Sequence, residues 1–386
     1  MKIARVTATP LMASFAEMFG GADNVPPHIR TPAAHFRGIP RVGQMTTLVE
    51  VESNDGVVGF GEAFGLPHPM SATAIVNSVV APVLVGQEVG EPSEMTGVLY
   101  KYFVALGSTR GAAMEALSGI DIALWDLKAR TAGVPLSTLL GSTPGPVSTY
   151  ASPVGFHDDP ETSAKAALDF LKHGFRAIKI KIGRGAEIDA LHVGAIRDAV
   201  GPAVTLYVDI NCAYDVRTAI GVAESLAPYD LGWFEEPIAP EDVDGLAEVR
   251  RNSPIPIAVG ENEFTLPAYR RLLDAQAVDF LQPNITRAGG ISGVLEIGRM
   301  CKEAGVKLAP HGVGGCTAIG AALNACRAAP GFATYEANKL LNPLRDELGA
   351  HPARMENGML VAGDLPGHGG EPDAERLARY RLAYGA

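Results

Sequence analysis

From residue 146 onward the chain alternates short apolar runs with helix-length amphipathic stretches. The runs are VSTYAS, RAIKIKI, VTLYVD, GWFEE, PIAVG, DFLQP, KLAP and ATYE. Eight short strands separated by helix-length segments predict a parallel sheet with crossover helices, because parallel neighbours cannot be joined by tight turns. Repeated eightfold, the pattern closes into a (β/α)8 barrel. Ahead of it, AAMEALSGIDIALWDLKARTAG carries apolar residues at helical spacing and ends in Gly133, a suitable C-cap. The first hundred residues mix types. TTLVEVES at 46–53 alternates with period two, meets Asn54-Asp55-Gly56 and resumes as VVGFGEA, which predicts a hairpin. Helices are expected near 70–86 and 92–105. Between the first strand and the hairpin, residues 14–44 form a loop rich in Gly, Pro, His and Arg. A connection of that length is either a functional lid or an unstructured surface segment. Arg30, His35, Arg37 and Arg41 would suit a lid over an anionic ligand.

Size and charge narrow the field. A chain of 386 residues suits one large domain with a smaller one appended. With 47% apolar and 19% charged residues it has ample material for a core, which excludes a disordered chain. The net charge of −11 disfavours binding to nucleic acid or to an anionic membrane, both of which need a positive surface. No apolar run reaches the ~18–20 residues that span a bilayer, and the N-terminus lacks a signal-peptide core. Cys212, Cys301, Cys316 and Cys326 form no Cys-x-x-Cys pair, so reduced thiols and a cytoplasmic location are expected. Gly59-Phe-Gly61-Glu-Ala-Phe-Gly65 misses the dinucleotide-binding spacing and opens no βαβ unit.

Ionisable residues interrupt the strands at their ends: Lys179 and Lys181, then Asp209, Glu235, Glu261, Asn284, His311 and Glu336. From Lys181 onward the intervals are 28, 26, 26, 23, 27 and 25 residues. One βα unit takes roughly 30 residues, so these side chains are expected in a ring at the C-terminal mouth, where barrel enzymes keep their chemistry. Three carboxylates gathered there would not all stay ionised without a cation. All-oxygen ligation selects a hard ion, Mg²⁺ best, and disfavours Zn²⁺. An acidic cluster neutralised by Lys and Arg is the alternative. In RAIKIKI, Lys179 and Lys181 share one face, with Ile178, Ile180 and Ile182 on the other. Two ammonium groups about 7 Å apart beside a cation would lower each other's pKa toward the range of a general base. His311 would face Lys181 across a bound substrate. Two proton-transfer groups on opposite faces of one carbon suit a racemase, or a β-elimination in which the second protonates the departing hydroxyl. Glu336 would hydrogen-bond an enolate or carboxylate oxygen, or else anchor the last strand. Gly312-Val-Gly314-Gly315 could instead cradle a phosphate, but flexible glycine beside a catalytic His is the simpler reading of that loop.

In this order and spacing, Lys179-Ile-Lys181, Val208-Asp209-Ile-Asn211, Trp233-Phe-Glu235-Glu236-Pro237, Gly260-Glu261-Asn262, Leu281-Gln-Pro-Asn284 with Arg287-Ala-Gly289-Gly290, and Pro310-His311 are specific. The chain resembles the enolase superfamily, in particular the mandelate racemase group, over essentially its full length. The resemblance implies an α/β fold: a modified (β/α)8 TIM barrel under an α+β capping domain. The cap is expected over 1–112, the barrel over 113–355, and a segment 356–386 returning to the cap. The resemblance also implies Mg²⁺ on Asp209, Glu235 and Glu261, with Lys181 as base and Lys179 polarising the substrate carboxylate. His311 would be the opposing acid/base and Glu336 a partner of the developing enolate oxygen. Asn211 and the lid residues Arg30, His35 and Arg37 are expected to bind substrate. Members of the group are often homo-oligomers, from dimers to octamers.

One departure matters. The strand-six position usually carries Asp in a dyad with the His; here it is Asn284. An amide orients His311 but cannot stabilise an imidazolium by charge, making it a weaker base and a readier acid. That argues against a two-base racemase, and the absence of Lys there argues against the muconate-lactonizing group. The expected activity is therefore Mg²⁺-dependent dehydration of an acid sugar, an aldonate or aldarate, to a 2-keto-3-deoxy acid. A racemase or epimerase of a 2-hydroxy acid, and a catalytically silent ligand-binding barrel, are the alternatives.

Overall fold

The computed structural model describes residues 1–36, 38–361 and 363–383. Three antiparallel strands, β1 (Ile3–Ser14), β2 (Gly43–Ser53) and β3 (Val58–Phe64), form the sheet of an N-terminal cap in the order β1-β2-β3. The β2–β3 hairpin turns at Asn54–Gly56, with Gly56 at φ +81°, a conformation glycine adopts without a Cβ penalty. Helical residues 70–84 and the helices Pro92–Ala105 and Ala112–Ala132 build a core with the sheet around Val49, Val51, Val76, Leu99 and Ile120. Contact is unusually close along β3. A Cβ at Gly61 would lie 1.9 Å from the Gly119 carbonyl oxygen, and one at Gly59 2.2 Å from that of Ala123. The helix Ala112–Ala132 is buried on nearly all sides because it is a shared wall. Leu117, Ile120 and Leu124 face the cap core, while Ile122 and Ala129 join the barrel core.

The barrel strands are β4 (Pro146–Val154), β5 (Ala177–Lys181), β6 (Thr205–Asp209), β7 (Leu231–Glu235), β8 (Ile257–Val259), β9 (Phe280–Leu281), β10 (Lys307–Leu308) and β11 (Tyr335–Asn338). They pair in parallel in chain order, and β11 returns to β4. A bridge between Leu308 and Phe332 completes the circle. Each of the first seven is followed by a helix; after β11 comes only the short turn Pro343–Asp346. The hairpin β12 (Arg354–Glu356)–β13 (Met359–Val361) then pairs with the first residues of β4, away from the mouth. Beyond the helix Ala374–Tyr380, Arg381 bridges to Leu11 of β1, and Leu377 and Tyr380 pack with Leu11 and Leu48. Among the described residues no helix is long and apolar enough to cross a membrane.

The described residues between 15 and 42 are not a plain loop. They form the short helices Phe15–Phe19 and Pro27–Arg30 and single turns at Ala22–Asn24 and Ala34–Phe36, pinned by buried Phe15, Val25 and Ala33.

Candidate active site

Strand register assembles the ring. Lys181 pairs with Asp209, and Asp209 with Glu235, so the ends of β5, β6 and β7 sit side by side. Glu261 follows two residues after β8, and a bridge joins Asn284 to His311. Beneath lies an aromatic floor in which Tyr207 stacks on Trp233 at 3.5 Å and Tyr150 meets both edge-on. Ile178, Ile180 and Ile182 point outward into the layer shared with the helices.

Asp209, Glu235 and Glu261 are buried, and one carboxylate oxygen from each lies within 4.8 Å of the others. Glu235 accepts from Trp233 Nε1 at 3.0 Å, Gln282 Nε2 at 2.7 Å and Lys179 Nζ at 2.5 Å. Burial and the Asp209 charge push the Glu235 carboxyl well above its usual range. Asp209 is driven the other way: Lys181 and Lys179 overcome its burial. Glu261 Oε2 is buried and accepts no hydrogen bond, although His311 Nε2 lies 3.2 Å away off the donor line. A hard-oxygen set that includes a buried acceptor without a hydrogen bond fits a divalent cation such as Mg²⁺.

Lys179 is fully buried and touches Glu235, Asp209 at 3.2 Å and Glu336 at 3.4 Å. Lys181 keeps 11% of its side chain exposed, so it remains reachable from the mouth. It donates to Asp209 Oδ2 at 2.5 Å and Asn211 Oδ1 at 2.8 Å. Burial alone would lower both lysines, but the carboxylates outweigh it and raise both. This is opposite to the direction expected from the sequence, because the carboxylate charge here is balanced by the ammonium groups themselves. Burial favours a neutral Glu336, yet Lys179, His311 and the Gly312 N–H at 3.0 Å together hold it below the usual carboxylate range.

The Asn284 amide has a defined orientation. Its Oδ1 accepts from the Thr286 N–H at 2.9 Å and hydroxyl at 2.6 Å, which turns Nδ2 toward His311 Nδ1, 2.9 Å away, and Val313 O. An Nδ1 that accepts leaves the ring proton on Nε2, the atom facing Glu261 and Glu336.

A cavity of about 110 Å³ opens over these groups, reached by Lys181, Asn211, Glu261, His311 and Glu336 from the barrel and by His35, Arg41 and Gln44 from the cap. Asn338 at the end of β11, with Asn342 and Arg345 after it, completes the wall. Arg30 does not line it; its Nη1 donates to Ala22 O at 3.2 Å. Arg37 lies outside the described residues. His35 is largely open to solvent at its loop, yet crowding by the mouth and then the Lys181 charge push it down to about 4. Sequence reading missed Gln44, Asn338, Asn342 and Arg345; position at or just after the end of the last barrel strand was the available signal for three of them. It also left Gln282 and Asn262 as motif letters. Asn262 bridges buried Glu236 and Arg287 at 2.8 Å on each side, while Arg287 lies over the Phe64 ring of the cap and pairs with Glu115. The glycine loop cradles no external anion: Gly315 N and Ala318 N are taken by Glu62 of β3, at 2.6 and 3.0 Å. A larger cavity, about 700 Å³, lies between the helices Pro92–Ala105, Ala112–Ala132 and Gly290–Ala304, and holds none of the strand-end groups.

A capped parallel barrel with carboxylates and lysines at its strand ends defines a barrel enzyme class, and sequence comparison places it. Residues 26–141 match the mandelate racemase/muconate lactonizing enzyme N-terminal domain, and residues 162–376 the enolase C-terminal domain-like family. The chain belongs to the mandelate racemase/muconate lactonizing family of the enolase superfamily. D-galactarolactone cycloisomerase of Agrobacterium fabrum is 35% identical over 347 residues, 87% of this chain and 91% of that protein. Arabinonate dehydratase of Saccharolobus solfataricus is 30% identical over 347 residues, with the same shares. The crystal structure of a racemase from Streptomyces coelicolor A3(2) with bound magnesium has a TM-score of 0.87 and 29% identity, covering 98% of this chain and 100% of that one.

Proposed function

We propose that this enzyme removes the proton α to the carboxylate of an acid sugar and expels the β-oxygen, a hydro-lyase reaction yielding a 2-keto-3-deoxy acid. The observation that carries this reading is the Asn284 amide turned toward His311 Nδ1, across the cavity from the Lys181 side. Lys181, reachable and anchored by Asn211, takes the α-proton on one face. On the other, His311 presents Nε2–H to the departing oxygen. Behind Nδ1 stands an amide and not a carboxylate, so no His–carboxylate dyad backs that face, which disfavours a two-base racemase or epimerase. Lys179, fixed by Glu235 and Glu336, sits where the substrate carboxylate gathers negative charge and needs no reorganisation to meet it. Glu336 acts through Lys179 and the Gly312 N–H. Asp209, Glu235 and Glu261 would hold Mg²⁺, which when bound supplies further positive charge to that carboxylate and takes up the carboxylate charge that otherwise keeps Lys181 protonated.

A second reading has specific support. The Agrobacterium relative is named a galactarolactone cycloisomerase, and the same Lys181 step would open a lactone ring if the β-oxygen belonged to it. Proton NMR of the Mg²⁺-loaded protein in D₂O with aldonic acids, aldaric acids and their lactones tests both. Loss of a hydroxyl with 2-keto-3-deoxy signals is expected for the dehydratase, ring opening without loss of water for the cycloisomerase. Epimer formation would overturn both, and no α-proton exchange with any acid would favour a silent ligand-binding barrel.

A further inference from the structure

We propose that Arg41 binds a second, distal carboxylate, so that the substrate is a diacid, an aldaric acid or its lactone, rather than an aldonic acid. The inference rests on the reading of the site as one for acid sugars. Besides Lys181 and His311, three basic residues line the cavity wall: His35, Arg41 and Arg345. Arg345 is already spent, its Nε and Nη2 donating to Asp346 at 2.8 and 2.7 Å and Nη2 also to Leu340 O. His35, with its pKa pushed down, is neutral at pH 7. Arg41 differs from both. It makes no ion pair among the described residues, and its one side-chain hydrogen bond is a 3.3 Å contact from Nη1 to Ile29 O. The rings of Phe15 and Phe36, 5.2 and 5.5 Å from its guanidinium carbon, remove water from its faces.

A half-buried guanidinium without a counter-charge is costly unless a ligand supplies one. Burial lowers its pKa only to about 10, so it stays charged at neutral pH. Its fork of N–H donors matches a carboxylate with two parallel hydrogen bonds. The strand-end groups already account for the reacting carboxylate, so the anion left for Arg41 is the one at the other end of the same molecule. An aldonate presents a hydroxymethyl group there and leaves the charge unmatched.

Isothermal titration of the Mg²⁺-loaded chain with galactarate and glucarate, against galactonate and gluconate, tests this together with α-proton exchange in D₂O. The expected result is at least about tenfold tighter binding of the diacids than of the monoacids of like configuration. That ratio should collapse in Arg41→Gln and survive in part in Arg41→Lys. Equal binding of both classes by the wild-type chain needs no variant to interpret and overturns the inference, as does an unchanged ratio in Arg41→Gln or binding of none of the four. A diacid preference that depends on Arg41 but comes without exchange upholds Arg41 and sinks the elimination reading. Exchange without a diacid preference does the reverse.

Discussion

Lys181 and Lys179 stand two residues apart on one face of β5, but only Lys181 keeps part of its side chain exposed at the mouth. Lys181→Met should lower α-proton exchange by a factor on the order of 10²–10⁴, the usual contribution of a placed base, while Mg²⁺ binding persists. Exchange rates by NMR, with Mg²⁺ titration of the same variant, check both halves. Asn284→Asp should add a charge behind His311 and raise its basicity, so exchange or epimerisation at the opposite face is the expected gain; an unchanged product stereochemistry would count against the role given to the amide. Positions such as Asp209, Glu235 and Glu261 were readable in the sequence because a βα unit has a nearly constant length, so a strand-end side chain recurs at that interval. Their partners were not. That Trp233 and Gln282 both donate to Glu235 depends on which barrel-facing side chains meet across strands, and spacing along the chain carries no such information. Arg30 and Arg41 look equivalent in a Gly- and Pro-rich stretch. Only the short turns between them send one to Ala22 and the other to the mouth.

The helix Ala112–Ala132 was clear in the sequence from its periodicity and its Gly133 stop, but its all-round burial needed the two layers it separates. Its approach to β3 leaves no room for a methyl group. Gly61→Ala should cost about 3 kcal/mol or more, read as a lower denaturation midpoint in urea, because the clash is with backbone and not with a side-chain tip. The same helix carries buried Asp121, whose Oδ1 accepts from Ser292 N at 3.0 Å while Oδ2 has no partner. Burial raises its pKa from 3.8 to about 7. A carboxyl whose folded pKa is raised binds more protons folded than unfolded between those values. Stability is therefore lost as pH climbs from about 4 to 7 and does not recover above. Asp121→Asn should flatten that decline, gaining roughly 1–3 kcal/mol over wild type at pH 8 and little at pH 4. Urea melts at pH 4, 6 and 8 would show it; parallel curves for the two proteins would contradict the assignment.

Three carboxylates gathered at one buried point should make the whole fold respond to a divalent cation that neutralises them. At a free Mg²⁺ concentration a hundred times its Kd the stabilisation is about 2.7 kcal/mol, which for a chain of this length shifts the melting midpoint by about 3 °C. A scan with Mg²⁺ and with chelator should show that shift, and Glu261→Gln should abolish it. Cap and barrel respond together because they are tied at the loop behind His311. Glu62, on the cap strand β3, holds Gly315 N and Ala318 N at the start of the helix Cys316–Ala328. Caps of this architecture are thus not interchangeable parts. A chimera that joined this barrel to another member's cap would import a new lid, but without an acid at position 62 it would also release the loop that aims His311. Transplanting specificity here means moving Glu62 with the lid.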